Sequence, residues 1–291
     1  MTVSRARALA LVASVPLLAQ CGTANAVRVG SKNFTESIVV AEIYARALED
    51  AGMTVERRLD LGSTQIAMAA MTRGDIDLYP EYTGTALIDV LHHAPVNDPA
   101  QAYAVVRSAF IREYAMTWLR PAPMNDSQGL ATTREIAARY HLRTLSDLAP
   151  LASRLRLATI PEFVSRPDGI PGLQRVYGGF HFASVRTYDI SLKYEALLSG
   201  NADIATAFTT DGAIAVNDLV VLDDDKHLWP PYNVAPVVRD ATLTRLPRIA
   251  SVLDRVSARL TSADARSMNA AVESRDRDPA DVAADFLKGR A

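Results

Sequence analysis

The chain has 291 residues, of which 49% are hydrophobic and 22% are charged, and its formal net charge at pH 7 is −2. This is the composition of a globular protein that is long enough for two domains of ordinary size. The near-neutral charge argues against nucleic acid as a partner, because non-specific nucleic-acid binding requires a basic face. After the N-terminal region, no apolar run reaches the ~18 residues that a membrane-spanning helix needs.

Residues 1–26 have the pattern of a signal peptide. Arg5 and Arg7 precede the uncharged apolar stretch 8–19, and Ala24-Asn25-Ala26 fits a small-x-small cleavage site. The pattern predicts export to the periplasm with residues 1–26 removed. Cys21, the only cysteine, leaves a lipid anchor as the alternative, although Gln20 stands where lipid-attachment sites usually carry a small residue.

From Val27 onward the sequence alternates between strand and helix patterns. Strands are predicted at 27–31 and 55–59, and helices at 33–52 and 63–73, the first opened by the capping-box spacing of Asn33 and Glu36. Asp98-Pro99 opens a further helix that runs to about residue 116. This alternation predicts a mostly parallel sheet with right-handed crossovers.

The stretch DIDLYPEYTGT, residues 75–85, is the most informative part of this first half. It is predicted to form a short buried strand at 76–79 that ends in proline, aromatic and hydroxyl residues and then enters another apolar run. Such a strand places its last side chains at the carboxyl edge of a sheet, where open α/β proteins bind ligands. It offers rings and hydroxyls without a charged nucleophile or a Gly-rich phosphate loop, which favours binding a small molecule over transforming it.

A second lobe is predicted after the segment 120–133, which is rich in Pro, Asn, Ser and Gly and has no helical periodicity. We read this segment as the first crossing between lobes, and the extended segment 234–239 as part of the return. Lobe 1 is thus predicted to comprise 27–125 plus 234–291, and lobe 2 to comprise 126–233. Within lobe 2 and the C-terminal region, strands are predicted at 155–160, 182–188, 202–208 and 219–222, and helices at 191–198, 243–260, 262–273 and 279–288.

Residues 73–84 and 199–212 share one order of features. Each has a helix that ends at glycine, an acidic residue, a strand, and then an aromatic residue followed by hydroxyls and glycine. We interpret them as matching edges of two lobes that face each other across a cleft, the construction of binding proteins that close on a ligand. A chance likeness between two strand–turn–helix units is the alternative.

The residues offer little support for other functional classes. No Gly-x-Ser-x-Gly elbow occurs and no cysteine follows residue 26, which argues against an exported hydrolase. The five histidines contain no His-Glu-x-x-His run, so we expect no metal and no cofactor. A ligand-sensing protein that docks on a membrane receptor needs the same fold and stays open as an alternative.

Five motifs together resemble the substrate-binding proteins of ABC importers for glycine betaine, choline and carnitine. They are GSKNFTES at 30–37, LGST at 61–64, GDIDLYPEYTGTAL at 74–87, FTTDG at 208–212 and DDKHLWPPYNVAPVVR at 224–239. The resemblance implies an α/β protein with a type II periplasmic-binding-protein fold, in which two lobes joined by two crossing segments enclose the ligand. It also implies a quaternary amine ligand held in an aromatic cage, a membrane permease as partner, and a monomeric binding protein.

The same resemblance identifies the expected site residues. Tyr82 and Tyr232 match cage tyrosines, Phe208 stands where a tyrosine is usual, and Thr85 matches a position that is Asp in choline-selective members. Gln128 departs from the family pattern, which typically has an aromatic there, so three rings are expected. The expected ligand-binding residues are Lys32, Tyr82, Thr85, Gln128, Phe208, Thr209 and Tyr232.

The resemblance leads to an expectation about the ligand. Because Lys32 falls where some relatives carry a ligand-contacting glutamine, we expect its ammonium to pair with a ligand carboxylate. Zwitterions such as glycine betaine or carnitine are therefore expected to bind more tightly than choline.

Asp211 is expected to cap the helix after FTTDG.

Overall fold

The computed structural model describes residues 26–190, 192–275 and 277–289, so the predicted signal peptide lies outside it except for Ala26. No helix among these residues is long and apolar enough to cross a membrane. The strands are β1 Val27–Gly30, β2 Val55–Arg58, β3 Leu78–Tyr82, β4 Met116–Trp118, β5 Gln128–Thr132, β6 Arg156–Thr159, β7 Ser184–Thr187, β8 Ile204–Phe208, β9 Val220–Val221 and β10 Val234–Arg239.

The helices surround these strands. In chain order they are α1 Thr35–Asp50, α2 Thr64–Arg73, α3 Thr83–Thr85, α4 Pro99–Tyr114, α5 Arg134–Tyr140, α6 Leu145–Leu148, α7 Pro161–Ser165, α8 Ile170–Tyr177, α9 Lys193–Leu198, α10 Gly212–Val216, α11 Asp240–Arg245, α12 Arg248–Ser257, α13 Ser262–Arg275 and α14 Pro279–Leu287. Helix α3 continues into a π-helical turn at Ala86–Val90, and α6 into a 3₁₀ turn at Ala149–Arg154.

The strands form two five-stranded sheets with the same internal order. The first sheet runs β2-β1-β3-β10-β4 and the second runs β7-β6-β8-β5-β9. In each sheet one strand, β10 or β5, pairs antiparallel with both of its neighbours. The two predicted α/β lobes are confirmed, and so is the likeness of the two edges, because β3 and β8 hold the same position.

Proline lies inside β3 and does not end it as the sequence suggested. Pro80 stands opposite Pro236 of β10. The bonds from the Arg239 N–H to the Asp77 carbonyl and from the Thr83 N–H to the Asn233 carbonyl place the two prolines at a non-hydrogen-bonded pair. Neither missing N–H therefore removes a bond between β3 and β10, and β3 continues to Tyr82.

An arginine–aspartate pair is repeated in the two lobes. Asp77 accepts from the Arg28 backbone N–H at 2.9 Å and from two guanidinium nitrogens at 3.0 Å. Asp203 accepts from the backbone N–H and two guanidinium nitrogens of Arg156, each at 2.8 Å. The first pair joins β1 to the segment that leads into β3, and the second joins β6 to the segment that leads into β8, so each fixes the register of a neighbouring strand.

Two segments connect the lobes, residues 119–127 and 222–233, and they meet at an isolated antiparallel bridge between Asn125 and Asn233. Every described strand of the first sheet falls within 27–125 and 234–291, and every described strand of the second within 126–233. The predicted lobe boundaries agree with this but stay a prediction, because α13 packs against α10 as well as α1.

Several local predictions were wrong. The capping box at Asn33 does not form, since Phe34 is the N-cap of α1 and Glu36 is buried, facing inward. The helix predicted at 243–260 is interrupted between α11 and α12. Strand β5 lies inside the segment 120–133, which was predicted to be only a crossing. The sequence does not indicate this strand, because it forms by pairing with the distant strands β8 and β9.

The repeated pairs predict a pH-dependent stability. Burial raises the pKa of Asp77, but hydrogen bonds from Arg28 and Thr242 outweigh it, so the pKa lies below its ordinary value. Hydrogen bonds from Arg156 likewise lower the pKa of Asp203. Depressed folded-state pKa values mean that this stabilisation is present above about pH 4 and is lost as pH falls through the lower folded-state values.

We expect Asp77→Asn to lower the free energy of unfolding at pH 7 by about 2–4 kcal/mol, because it breaks a buried pair. Asp203→Asn, in a half-exposed pair, should lower it by about 1 kcal/mol or less. Both variants should also lose less stability than wild type between pH 7 and pH 3. Urea unfolding at the two pH values measures this, and parallel losses in all three proteins would contradict the assignment.

Candidate ligand-binding cleft

A cavity of about 180 Å³ lies between the two lobes, and its walls come from both sheets and from the second crossing segment. Six of the seven expected site residues line it: Lys32, Tyr82, Thr85, Gln128, Phe208 and Tyr232. Thr209 does not, which corrects that expectation. Its hydroxyl accepts from the Ser127 backbone N–H at 3.0 Å, so it ties β8 to the first crossing.

The fold brings the three expected rings to the cavity in a simple way, and Phe34 and Tyr188 line it as well. Tyr82 is the last residue of β3 and Phe208 the last residue of β8, so equivalent strand ends supply one ring from each lobe. Tyr232 comes from the second crossing and lies against Gly84. A Cβ at Gly84 would lie 2.6 Å from the Tyr232 ring, so glycine is what allows this close approach.

Tyr82 is buried and held at both ends. Its hydroxyl donates to Glu36 Oε1 at 2.7 Å, and its ring lies 6.0 Å from that of Phe34, which also lines the cavity. Burial and the nearby carboxylate of Glu36 raise the pKa of Tyr82 well above its ordinary value, so the phenol stays neutral. The ring is therefore presented in one fixed orientation.

Lys32 lines the cavity but already has a carboxylate partner. Its Nζ lies 2.7 Å from Glu81 Oε1, and the two side chains are 6% and 0% exposed. The same ammonium lies 4.8 Å from the Tyr82 ring centroid and 3.4 Å from the Thr64 hydroxyl. Since Lys32 has three N–H donors, these contacts leave one donor without a hydrogen-bond partner among the described residues.

A second buried lysine has the same arrangement in lobe 2. Lys193 Nζ lies 4.6 Å from the Phe208 ring centroid and 2.9 Å from Asp211 Oδ2. Asp211 occupies the N-cap position of α10, but its side chain turns back to accept from Lys193, Tyr194 and the Phe208 N–H. The expected capping hydrogen bond is not formed.

Arg166, which the sequence analysis missed, is the second cation of the cavity wall. It pairs with Asp168 within lobe 2 and, at 2.9 Å, with Asp89 Oδ2 across the cleft. Its Nη2 also donates to the Tyr232 hydroxyl at 3.3 Å, and that hydroxyl donates to Asp168. Burial lowers the pKa of Arg166, but Tyr232 and the two carboxylates outweigh it, so the guanidinium stays charged.

Gln128 belongs to the same cluster. Its Nε2 donates to Asp168 Oδ2 at 3.1 Å and lies 3.5 Å from the Tyr232 hydroxyl. The amide that replaces the usual ring therefore supports Asp168 and Tyr232. No motif around Arg166 marks it in the sequence, and only its contacts with Asp89 and Asp168 reveal its place.

Carboxylates outnumber cations around the cavity. Asp89, Asp126, Glu162 and Asp189 line it with the two cations Lys32 and Arg166, while Glu81 and Asp168 lie directly behind those cations. Burial, together with Glu36 and Asp211, raises the pKa of Asp126 well above its ordinary value. A positively charged ligand group in the cavity would favour the ionised form of Asp126, and such a group suits this wall.

No group of three or more His, Cys, Asp or Glu side chains in the described residues could hold a metal ion.

Two α/β lobes, two chain crossings and a ring-lined cavity between them define a solute-binding protein of the periplasmic-binding type.

The comparisons with known proteins identify the family. Residues 25–289 match the family described as the substrate binding domain of the ABC-type glycine betaine transport system. The glycine-betaine-binding protein of Pseudomonas aeruginosa is 34% identical over 293 residues, covering 97% of this chain and 93% of that protein. The carnitine transport binding protein OpuCC of Listeria monocytogenes is 30% identical, covering 90% of this chain and 86% of that protein.

The solved structures agree. The crystal structure of a glycine betaine/carnitine/choline ABC transporter protein has a TM-score of 0.76 and 30% identity, covering 90% of this chain and 98% of that one. The chain belongs to this family of ABC-transporter substrate-binding proteins, and it is a solute-binding protein, not an enzyme. Its type II periplasmic-binding-protein fold is thereby confirmed.

Proposed function

We propose that this protein captures a zwitterionic quaternary amine of the glycine betaine or carnitine type and delivers it to an ABC permease. The observation that carries the proposal is a cavity lined by five aromatic side chains, Phe34, Tyr82, Tyr188, Phe208 and Tyr232, with an excess of carboxylates and two cations. A quaternary ammonium cannot donate a hydrogen bond, so ring faces and nearby carboxylates are what recognise it.

The relatives named above point to the same chemistry. The Pseudomonas protein is named for glycine betaine and the Listeria protein for carnitine. Both compounds join a trimethylammonium group to a carboxylate. A site for them needs a cation-binding end and an anion-binding end.

We assign the cation-binding end to Tyr82, Phe208 and Tyr232, with Asp126 as the nearby carboxylate. Each ring contributes about 0.5–2 kcal/mol, depending on how well the site excludes water. The three rings supply roughly 2–6 kcal/mol of the about 8 kcal/mol that micromolar binding requires. The rest must come from contacts to the other end of the ligand and from burial when the lobes close.

We assign the anion-binding end to the free donors of Lys32 and Arg166. Arg166 has five N–H donors, and its contacts to Asp168, Asp89 and Tyr232 use four of them. Each cation therefore retains one N–H that has no partner among the described residues and is available to a carboxylate, although neither contributes a full unpaired charge. Thr85, also in the wall, adds a hydroxyl where a choline-selective relative would have a carboxylate.

The rings can be tested by truncation. We expect Tyr82→Ala and Tyr232→Ala each to weaken glycine betaine binding by about five- to thirtyfold, the loss of one ring worth ~1–2 kcal/mol. Tyr140→Ala is the matched control, because the Tyr140 ring also contacts a cation, Arg154, but does not line the cavity. Titration calorimetry measures all three, and unchanged affinity in both cavity variants with the fold intact would remove these rings from the site.

The role of Lys32 requires a charge-matched pair of variants. Lys32→Gln removes the positive charge but leaves the Glu81 carboxylate without its ion pair, whereas Lys32→Gln with Glu81→Gln removes both charges. If Lys32 contacts the carboxylate, both proteins should show a preference for glycine betaine over choline about tenfold lower than wild type. A change in the single variant alone would assign the effect to Glu81, and an unchanged ratio, or a wild type that prefers choline, would exclude Lys32 as the contact.

We further propose that the protein acts as a monomer outside the cytoplasmic membrane, since a single chain supplies both walls of the cavity.

Cleavage after Ala26 would leave a new ammonium at Val27, whose nitrogen lies 2.8 Å from the Thr54 carbonyl. That acceptor makes the free periplasmic form our first choice over a lipid anchor at Cys21. The intact mass of the exported protein distinguishes the two forms. A mass that corresponds to a lipid-modified Cys21 at the N-terminus would refute cleavage after Ala26.

A further inference from the structure

Helix α13 forms a third connection between the lobes, beside the two chain crossings. It packs against α1 of lobe 1 and against α10 of lobe 2. A Cβ at Gly212 would lie 2.4 Å from the Ala270 nitrogen, so the start of α10 rests directly on the α13 backbone. Glu273 of α13 also accepts from the Ala213 N–H at 3.1 Å. The segment that follows Phe208 is thus held by a helix outside lobe 2.

Asn269 of α13 lies at the centre of this junction. Its Nδ2 donates to Glu36 Oε2 at 3.0 Å and to the Thr210 carbonyl at 2.8 Å. Glu36 accepts the Tyr82 hydroxyl on its other oxygen at 2.7 Å, and Thr210 follows Phe208 by two residues. Asn269 is only 2% exposed. One buried amide nitrogen therefore joins the two strand ends that carry the rings.

The orientation of this amide follows from its partners. Rotated by 180°, Oδ1 would face Glu36 Oε2 and the Thr210 carbonyl, both of which are acceptors in this network. In the observed orientation Oδ1 is buried without a hydrogen-bond partner in the described part of the chain. An unsatisfied buried oxygen is unfavourable. The orientation of the Asn269 side chain is therefore set by the two hydrogen bonds that its Nδ2 donates, one to each lobe.

We propose that Asn269 is a positioning residue that sets the distance between the Tyr82 and Phe208 rings, through Glu36 on one side and the Thr210 carbonyl on the other. The inference rests on the proposed function, since ring spacing matters only for a ligand held between rings. When the Asn269 side chain is changed, Glu36, which accepts from the Tyr82 hydroxyl, loses one hydrogen bond. The segment after Phe208 loses its hydrogen bond at the Thr210 carbonyl at the same time. The cation then loses contact with both rings although neither ring has been changed.

A purely structural role for Asn269 predicts a different outcome, and a matched control separates the two. Ser257→Ala removes another buried hydrogen bond between the C-terminal helices and α1, the 3.3 Å contact from the Ser257 hydroxyl to the Tyr44 hydroxyl, which lies away from the cavity. We expect Asn269→Asp to weaken glycine betaine binding about tenfold or more, and Ser257→Ala to change it less than twofold. If Asn269→Asp does not fold, Asn269→Leu removes the same donors without adding a charge.

A ligand-free measurement tests the positioning itself. In protein labelled with 3-fluorotyrosine, the fluorine resonance of Tyr82 is assigned by its loss in Tyr82→Phe. We expect it to shift or broaden in Asn269→Asp and Asn269→Leu but not in Ser257→Ala, where the resonance of Tyr44 should move instead. A Tyr82 resonance unchanged in both Asn269 variants would overturn the proposal.

An exchange of groups provides the rescue. In Glu36→Gln with Asn269→Asp, the amide and the carboxylate trade places, so a hydrogen bond can form again with reversed direction. We expect this double variant to recover part of the affinity lost in Asn269→Asp, because only the link to Glu36 is restored and the carboxylate still faces the Thr210 carbonyl. A Tyr82 resonance that does not return towards its wild-type position in the double variant would show that Asn269 does not act through Glu36. If wild type binds neither glycine betaine, carnitine nor choline, the proposed function fails, and the Tyr82 resonance still decides the role of Asn269.

Discussion

The two chain crossings run side by side, and each is hydrogen-bonded to the residue that follows a ring. Asn125 and Asn233 pair across the crossings. The Thr83 N–H donates to the Asn233 carbonyl at 3.1 Å, and the Thr209 N–H donates to the Ser127 carbonyl at 2.8 Å. Because Thr83 and Thr209 come directly after Tyr82 and Phe208, any movement of the crossings is passed to both rings.

Charge in the cleft is organised around lysines that the chain neutralises internally. Lys32 and Lys193 are buried, and each is paired with a carboxylate. Lys32 lies over the ring of Tyr82 at the end of β3, and Lys193 over the ring of Phe208 at the end of β8. A buried ammonium without such a partner would be strongly unfavourable. The rings therefore already interact with a positive charge in the absence of ligand, and Glu81 and Asp211 balance that charge so that the ligand's cation does not meet an unpaired ammonium.

Much of the fold follows from local patterns, while the details of the site depend on contacts between distant residues. The alternation of strands and helices and the likeness of the segments before Tyr82 and Phe208 indicated two lobes and placed a ring at each edge. Lys32 and Glu81 are separated by 49 positions, and their pairing depends on how β3 docks beside β1. Arg166 is bound by Asp89 of the other lobe, 77 positions away, so nothing near it in the sequence marked it as part of the wall.

The capping prediction at Glu36 failed because of contacts between residues that are distant in the sequence. Its spacing from Asn33 is right for a local hydrogen bond, but Tyr82 and Asn269 supply better donors once the chain is folded. Tertiary contacts thus replaced the local one.

The packing of α13 on both lobes has a consequence for how the cleft opens. A pure hinge needs only the two crossings to change their backbone angles, because the lobes then separate freely. Here the start of α10 sits against the α13 backbone with no room for a side chain at Gly212. Opening therefore has to change the α10–α13 contact as well as the crossings, so we expect mutations between these two helices to alter the rates of ligand entry and release.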